Sequence, residues 1–235
     1  MKLEICANSY QSAKNAKDAG AHRIELCSEL SIGGITPSYG LIKQVAHELA
    51  IETFVLIRPR SGDFCYTEQE FEVMKNDIQI CKKLGCQGIV SGVLNPDNTI
   101  DIERTRELIE LSRPLSFTFH RAFDLVPNPE NALKRLIKLG VDKILTSGQQ
   151  PKAISGLDTL KALKRQAQNR ITILVGSGVS SKNVKTFKDA GFDEIHASAS
   201  EVIHTESSAY FGNTPQTESS TEEIKAILKA IANEA

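Results

Sequence analysis

The chain has no tryptophan, only two methionines among its 235 residues, and no C-x-x-C pair among its five cysteines. The missing tryptophan excludes little. The cysteines say more: Cys6, Cys27, Cys65, Cys81 and Cys86 form an odd, unclustered set, which argues against a disulfide framework and for reduced thiols in a cytoplasmic protein. No apolar run approaches bilayer-spanning length, and the opening MKLEICANSY has no apolar h-region, so neither a membrane span nor a secretory leader is expected. An excess of one charge is lacking too. The formal net charge is −1 with acids and bases interspersed, so no basic face advertises nucleic acid or anionic lipid.

What is present is alternation. Strand-like runs LEICANS (3–9), RIELCS (23–28), TFVLIRP (53–59), GIVSGVL (88–94), LSFTFH (115–120), KILTSG (143–148), ITILVGSG (171–178) and EIHASAS (194–200) are each followed by an amphipathic helical segment. Thr67 and Glu70 form a capping-box pattern at one helix start. Strict βα alternation implies parallel strands with right-handed crossovers, and eight such units close into a (β/α)8 TIM barrel, an α/β fold. A doubly wound open sheet is the competing architecture. An internal repeat favours closure: DAGAHRIEL, KLGCQGIV, KLGVDKIL and DAGFDEIHA place Gly20, Gly85, Gly140 and Gly191 at spacings of 65, 55 and 51 residues. Each glycine is expected just past a helix, with positive φ. Residues 1–235 are read as one barrel domain, with 201–220 as a long loop after strand 8 and 221–235 as a C-terminal helix.

Period-2 alternation divides each strand between the helix layer and the interior. It sends Glu4, Cys6, Glu25, Cys27, Arg58, His120 and His196 inward. Ion pairing of Glu4 or Glu25 with Arg58 is one reading of this set, because desolvated charges need partners. The other is a site at the C-terminal mouth, where Arg58 and His120 end their strands and Arg121 and Asp124 follow. GSGVSSKN (176–183) follows strand 7 and reads as opening a helix, and strand 8 ends in Ser198. Loops after strands 7 and 8 commonly cradle phosphate, so Gly176, Gly178 and Ser198, with Arg58 and Arg121, form a candidate anion site. For Gly176 and Gly178 the alternative is packing. Cys6 and Cys27 lie on adjacent strands, and two thiolates suit a soft ion such as Cu(I), with His120 or His196 as supplement. Free cysteine as a small buried hydrophobe is the alternative. The remaining cysteines, with His22, His47 and His204, have no ligand spacing and read as structural or surface residues.

RIELCSELSIGGITPS (23–38), IRPRSGDFCYTEQE (57–70), TFHRAFD (118–124), ILTSGQ (144–149) and the strand-7 GSGVS together resemble the CutC family of copper homeostasis proteins, over about residues 2–200. The resemblance implies a cytoplasmic TIM barrel, a homodimer or larger homo-oligomer, and Cu(I) binding, with Cys6 and Cys27 in the positions proposed as ligands. It implies no organic cofactor and no established reaction. The chain departs from a copper-carrier composition in having two Met and no M-x-x-M.

Three functions are expected to compete. One is Cu(I) binding at Cys6 and Cys27. A second is a lyase or isomerase acting on a small anionic or phosphorylated metabolite, with His120 transferring protons, Glu4 or Glu25 as partner base, and Arg58 and Arg121 holding the anion. No inward strand position is read as lysine, which argues against a Schiff-base aldolase. The third is a non-catalytic scaffold.

Overall fold

The computed structural model describes residues 1–210 and 212–232. Its elements alternate as the hydrophobic pattern requires: β1 (Lys2–Ala7), α1 (Tyr10–Ala19), β2 (Arg23–Leu26), α2 (Tyr39–Glu48), β3 (Glu52–Leu56), α3 (Glu68–Lys83), β4 (Gly88–Ser91), α4 (Ile102–Ser112), β5 (Ser116–Phe119), α5 (Pro129–Leu139), β6 (Lys143–Thr146), α6 (Leu157–Ala167), β7 (Thr172–Val175), α7 (Val184–Asp189) and β8 (Glu194–Ala197). All eight strands pair in parallel with their sequence neighbours. β1 closes the ring on β8, with Leu3 opposite Ile195 and Glu4 opposite His196. The open-sheet alternative is therefore set aside.

Local chemistry sets the helix ends. The Thr67 hydroxyl accepts from the Glu70 amide while the Glu70 carboxylate accepts from the Thr67 amide, completing the capping box at α3. The four repeat glycines, Gly20, Gly85, Gly140 and Gly191, all have positive φ just past their helices, as the repeat predicts. Outward residues such as Leu3, Ile5, Ile24, Val55, Phe117 and Ile195 are fully buried against the helix layer. A smaller cluster of Cys6, Cys27, Phe54, Leu56 and Val90 fills the barrel interior.

Two readings change after strand 8. Residues 201–220 are not an irregular loop. β9 (Ser200–Ser208) and β10 (Gly212–Ser219) form an antiparallel hairpin with Ser208 opposite Gly212 and Ser200 opposite Ser219. Serine and threonine richness suggested a loop, but Val202, Ile203 and Thr205 are β-branched and the backbone pairs across the turn. β10 is tied to α1 and the turn before it, with Asn8 donating to Thr217 and Asn15 to Ser219, while β9 leaves Val202 and Ile203 exposed. Phe211, within the expected loop, lies outside the described residues. The last helix, α8, spans Thr221–Ile231; the end of the expected 221–235 helix, residues 233–235, also lies outside them. No helix among the described residues is long and apolar enough to cross a membrane.

Candidate functional site

The barrel interior is layered, and its deepest layer is ionic. Arg23 is fully buried, donating to Glu4 and, at 2.6 Å, to Glu194, which also accepts from Lys143 at 3.0 Å. Burial opposes ionisation of Glu4, but the His196 hydrogen bond and Arg23 overcome it and hold the carboxyl down at about 2. Glu4 is thus locked as an anchor beneath the mouth, not as a base facing it. This layer also corrects the expectation that no inward lysine exists. Lys143 opposes the inward Thr118 and shares its face with Leu145, which lines the cavity above. Its ammonium is spent on Glu194 at the N-terminal end of the barrel, far from Schiff-base chemistry at the mouth.

Above it lies sulfur. The Cys6 and Cys27 Sγ atoms are 3.4 Å apart, in the register that sets Cys6 beside Glu25. Cys6, Glu25 and His196 bring one ligand atom each within 4.8 Å of the others. His196 Nδ1 is 2.7 Å from Glu4 and 4.0 Å from Glu25. Burial alone would lower the His196 pKa, but contacts with Cys6, Glu4 and Glu25 raise it well above its usual value. The Cys27 contact and burial push the Cys6 thiol up. Burial pushes Glu25 up to about 7.

The third layer is the mouth, a cavity of about 510 Å³ that both Glu25 and Cys6 reach from below. Arg58 and His120 form its opposite wall. Arg58 does not pair with Glu4 or Glu25, as one sequence reading had it. Its Nη1 donates to the carbonyls of Ile32 and Gly34 at 3.0 and 2.8 Å, and its Nη2 to Gly62 at 2.8 Å. The cation is thereby turned into a staple for the loops after β2 and β3. His120 Nδ1 accepts from the Ala122 amide at 3.2 Å. Burial, and the Arg58 charge beside it, lower its pKa to about 3, so the ring is neutral and its Nε2 carries the proton. Gly92 makes room for it: a methyl group there would lie 2.7 Å from His120 Nδ1. Phe64 packs against both, 4.9 Å from the Arg58 guanidinium and 4.7 Å from the His120 ring.

The anion candidates divide. Arg121, Gly178 and Ser198 line the cavity, although Arg121 is tied to Asp124 at 2.9 Å and to Ser147 at 3.0 Å. Gly176 does not line it. A methyl group at Gly176 would lie 2.5 Å from Leu145 Cδ1, so this glycine serves packing. GSGVSSKN does lead into a helix: Asn183 is the N-cap of α7, which begins at Val184. Within this segment the Ser181 amide and hydroxyl donate to the Glu223 carboxylate of α8 at 2.7 and 2.9 Å.

Sequence reading missed Arg23, Glu194, Lys143 and Phe64. The first two were within reach of the alternation rule, lying two residues before the inward Glu25 and His196. Phe64 comes from a loop, where no periodicity points.

A closed parallel barrel with a polar cavity at the C-terminal ends of its strands defines a TIM barrel with its site where that class keeps it. The chain belongs to the CutC family, whose model matches residues 1–201. A CutC family protein of Photorhabdus laumondii is 48% identical over 202 residues, covering 86% of this chain and 81% of its own. The human copper homeostasis protein cutC homolog is 46% identical over 198 residues, covering 84% and 72%. A CutC structure from Streptococcus agalactiae superposes with a TM-score of 0.79 at 35% identity, over 84% of this chain and 98% of that one. The Salmonella typhimurium 3-hexulose-6-phosphate synthase, with a TM-score of 0.63 at 17% identity over 98% of each chain, shares the fold alone.

Proposed function

We propose that this protein binds one Cu(I) ion between Cys6 and Cys27 and serves copper homeostasis. The observation that carries this reading is the 3.4 Å approach of the two sulfurs inside the barrel, beside a cavity open at the mouth. The donor chemistry fits the ion: two soft sulfurs suit Cu(I), and low-dielectric surroundings protect a thiolate–metal bond from exchange with water. His196, held through Nδ1 by Glu4, keeps Nε2 as a third donor beside Cys6, the arrangement in which a carboxylate orients a metal-binding imidazole. Both family membership and the human relative's printed role in copper homeostasis support the reading. So do five free cysteines, which fit a reducing compartment.

Ligation requires thiolates, so binding releases protons and weakens as pH falls. The Cys6 thiol, held protonated by Cys27 and burial, keeps that dependence in force through neutral pH. The test is anaerobic Cu(I) titration against a competing chelator. One equivalent per chain is expected, lost in Cys6→Ser/Cys27→Ser. Equal uptake by the double variant would show the site to be wrongly assigned.

A further inference from the structure

Buried polar groups nearly always find partners, so the exceptions carry information. Among the described residues, seven buried side-chain nitrogen or oxygen atoms have none, and three of them belong to residues lining the mouth cavity: Glu25 Oε2, Arg58 Nε and His120 Nε2. Two of the three are N–H donors on one wall. Arg58 and His120 are each 5% exposed.

Charge sharpens the point. Among the described residues, two arginines are fully or nearly fully buried, and they are treated differently. Arg23 has two carboxylates, Glu4 and Glu194. Arg58 has none within ion-pair distance among the described residues; it donates to three backbone carbonyls and has the buried Tyr66 hydroxyl beside it. A buried cation satisfied only by neutral dipoles retains its full charge in a low-dielectric site, an expensive arrangement unless an anion joins it. The adjacent imidazole is neutral and so cannot be that anion, yet it adds a second donor. Its tautomer is fixed by the Ala122 amide, which occupies Nδ1 and leaves Nε2–H unspent.

We propose that the Arg58–His120 wall binds a small organic carboxylate, its two oxygens taking the Nε–H of Arg58 and the Nε2–H of His120. This site is independent of the Cu(I) site and stands on different residues. The donor count selects the headgroup. Nη1 of Arg58 is fully committed to Ile32 and Gly34. Few free N–H groups therefore remain, enough for a planar carboxylate and sparse for a phosphate dianion with three terminal oxygens. The cavity volume of about 510 Å³ lies within the range of small-molecule sites. Gly178 and Ser198 also line the cavity, and the Ser198 hydroxyl is a polar group for a ligand carrying further oxygens, so hydroxy and oxo acids are the favoured class. The sequence reading grouped Arg58 and Arg121 with Gly176, Gly178 and Ser198 as one anion site; the unspent donors favour Arg58 with His120 instead.

The test uses the whole metal-free chain under reducing conditions. Pyruvate, malate and citrate are added in turn at millimolar concentration, with inorganic phosphate and glycerol phosphate as parallel arms. Thermal shift and calorimetry are the readouts, and NMR follows the His120 ring N–H. At least one carboxylate is expected to raise Tm and move the His120 Nε2–H resonance. Arg58→Met and His120→Asn are each expected to weaken that carboxylate by tenfold or more, about the loss of one charge-assisted or buried hydrogen bond. Lys185→Ala, which touches only Asp189 on the surface, should leave it unchanged. Arg58→Met also removes the staple on the 32–34 and 62 carbonyls, so His120→Asn, which keeps a cap for the Ala122 amide, is the variant that decides if the first does not fold. No response to any carboxylate, an equal response in His120→Asn, or a response to phosphate alone would overturn the proposal. None of these outcomes involves copper, so they leave the Cu(I) reading to its own test.

Discussion

The two walls of the mouth cavity are made by the same barrel and are chemically opposite. On the side of β1, β2 and β8 stand two thiols, a carboxyl and a histidine whose proton faces Glu4. On the side of β3 and β5 stand a guanidinium and a neutral imidazole, each with an N–H left unspent. The first wall is supported from below by the Arg23, Glu4, Glu194 and Lys143 ion network, in which one Arg23 nitrogen, Nη1, stays without a partner. The second is supported from the side, by loop carbonyls and Phe64. A barrel makes such a contrast inexpensive, because each strand contributes one or two residues and the walls do not share a backbone segment.

The largest effect is expected where the sulfur wall rests on its foundation. Arg23→Met leaves Glu4 and Glu194 without their shared cation, and losing one partner of a buried ion pair costs about 3–5 kcal/mol. Chemical denaturation should show a loss of that size or a chain that does not fold. A loss under about 1 kcal/mol, within the range of a surface pair, would mean that the network supports nothing.

A difference in sign separates the walls by pH. His120 is held near 3 against an ordinary 6.5, so the unfolded chain binds its proton first. Its contribution to stability is present above pH 6.5 and is lost as pH falls toward 3, at about 1.4 kcal/mol per pH unit. Glu25, raised from 4.5 to about 7, does the reverse: its contribution is present below 4.5 and lost as pH rises through 7. Between pH 4.5 and 6.5 the two slopes oppose each other. His120→Asn removes one of them, so its stability should fall with rising pH across that interval more steeply than the parent's. Parallel curves for parent and variant, measured by urea denaturation, would show that His120 is not buried neutral.

Gly92→Ala tests whether the donor wall can be damaged alone. The added methyl must displace His120, a strain of about 1–3 kcal/mol in a packed site. Cu(I) uptake should be unaffected. Loss of copper binding there would join the walls that the account keeps separate. The smallest effect belongs to the rim: Arg121, partly exposed and paired to Asp124, should cost no more than about 1 kcal/mol on truncation to Ala, by the same denaturation assay.

Much of this was legible from residue order. Alternation alone put Cys6, Cys27, Glu25, His120 and His196 in the interior, because a strand's side-chain period is fixed at two. Partnership was not legible. Glu4 meets Arg23 and His196 through the register of β1 with β2 and β8, and register between strands far apart in sequence leaves no local trace. For the same reason Arg58 was assigned a carboxylate when its partners are loop carbonyls. Glu223 reaches Ser181 from 42 residues away, which no strand–helix turn motif announces. The hairpin after β8 was hidden by composition, since serine and threonine serve loops and exposed strands alike.

The sulfur wall carries the central claim, and X-ray absorption at the copper edge tests it most directly. Protein loaded anaerobically with one equivalent of Cu(I) should show sulfur as its principal ligand, and Cys6→Ser/Cys27→Ser should lose both the sulfur signal and the stoichiometric ion. A first shell of nitrogen or oxygen alone, or a sulfur signal that survives the double substitution, would contradict it.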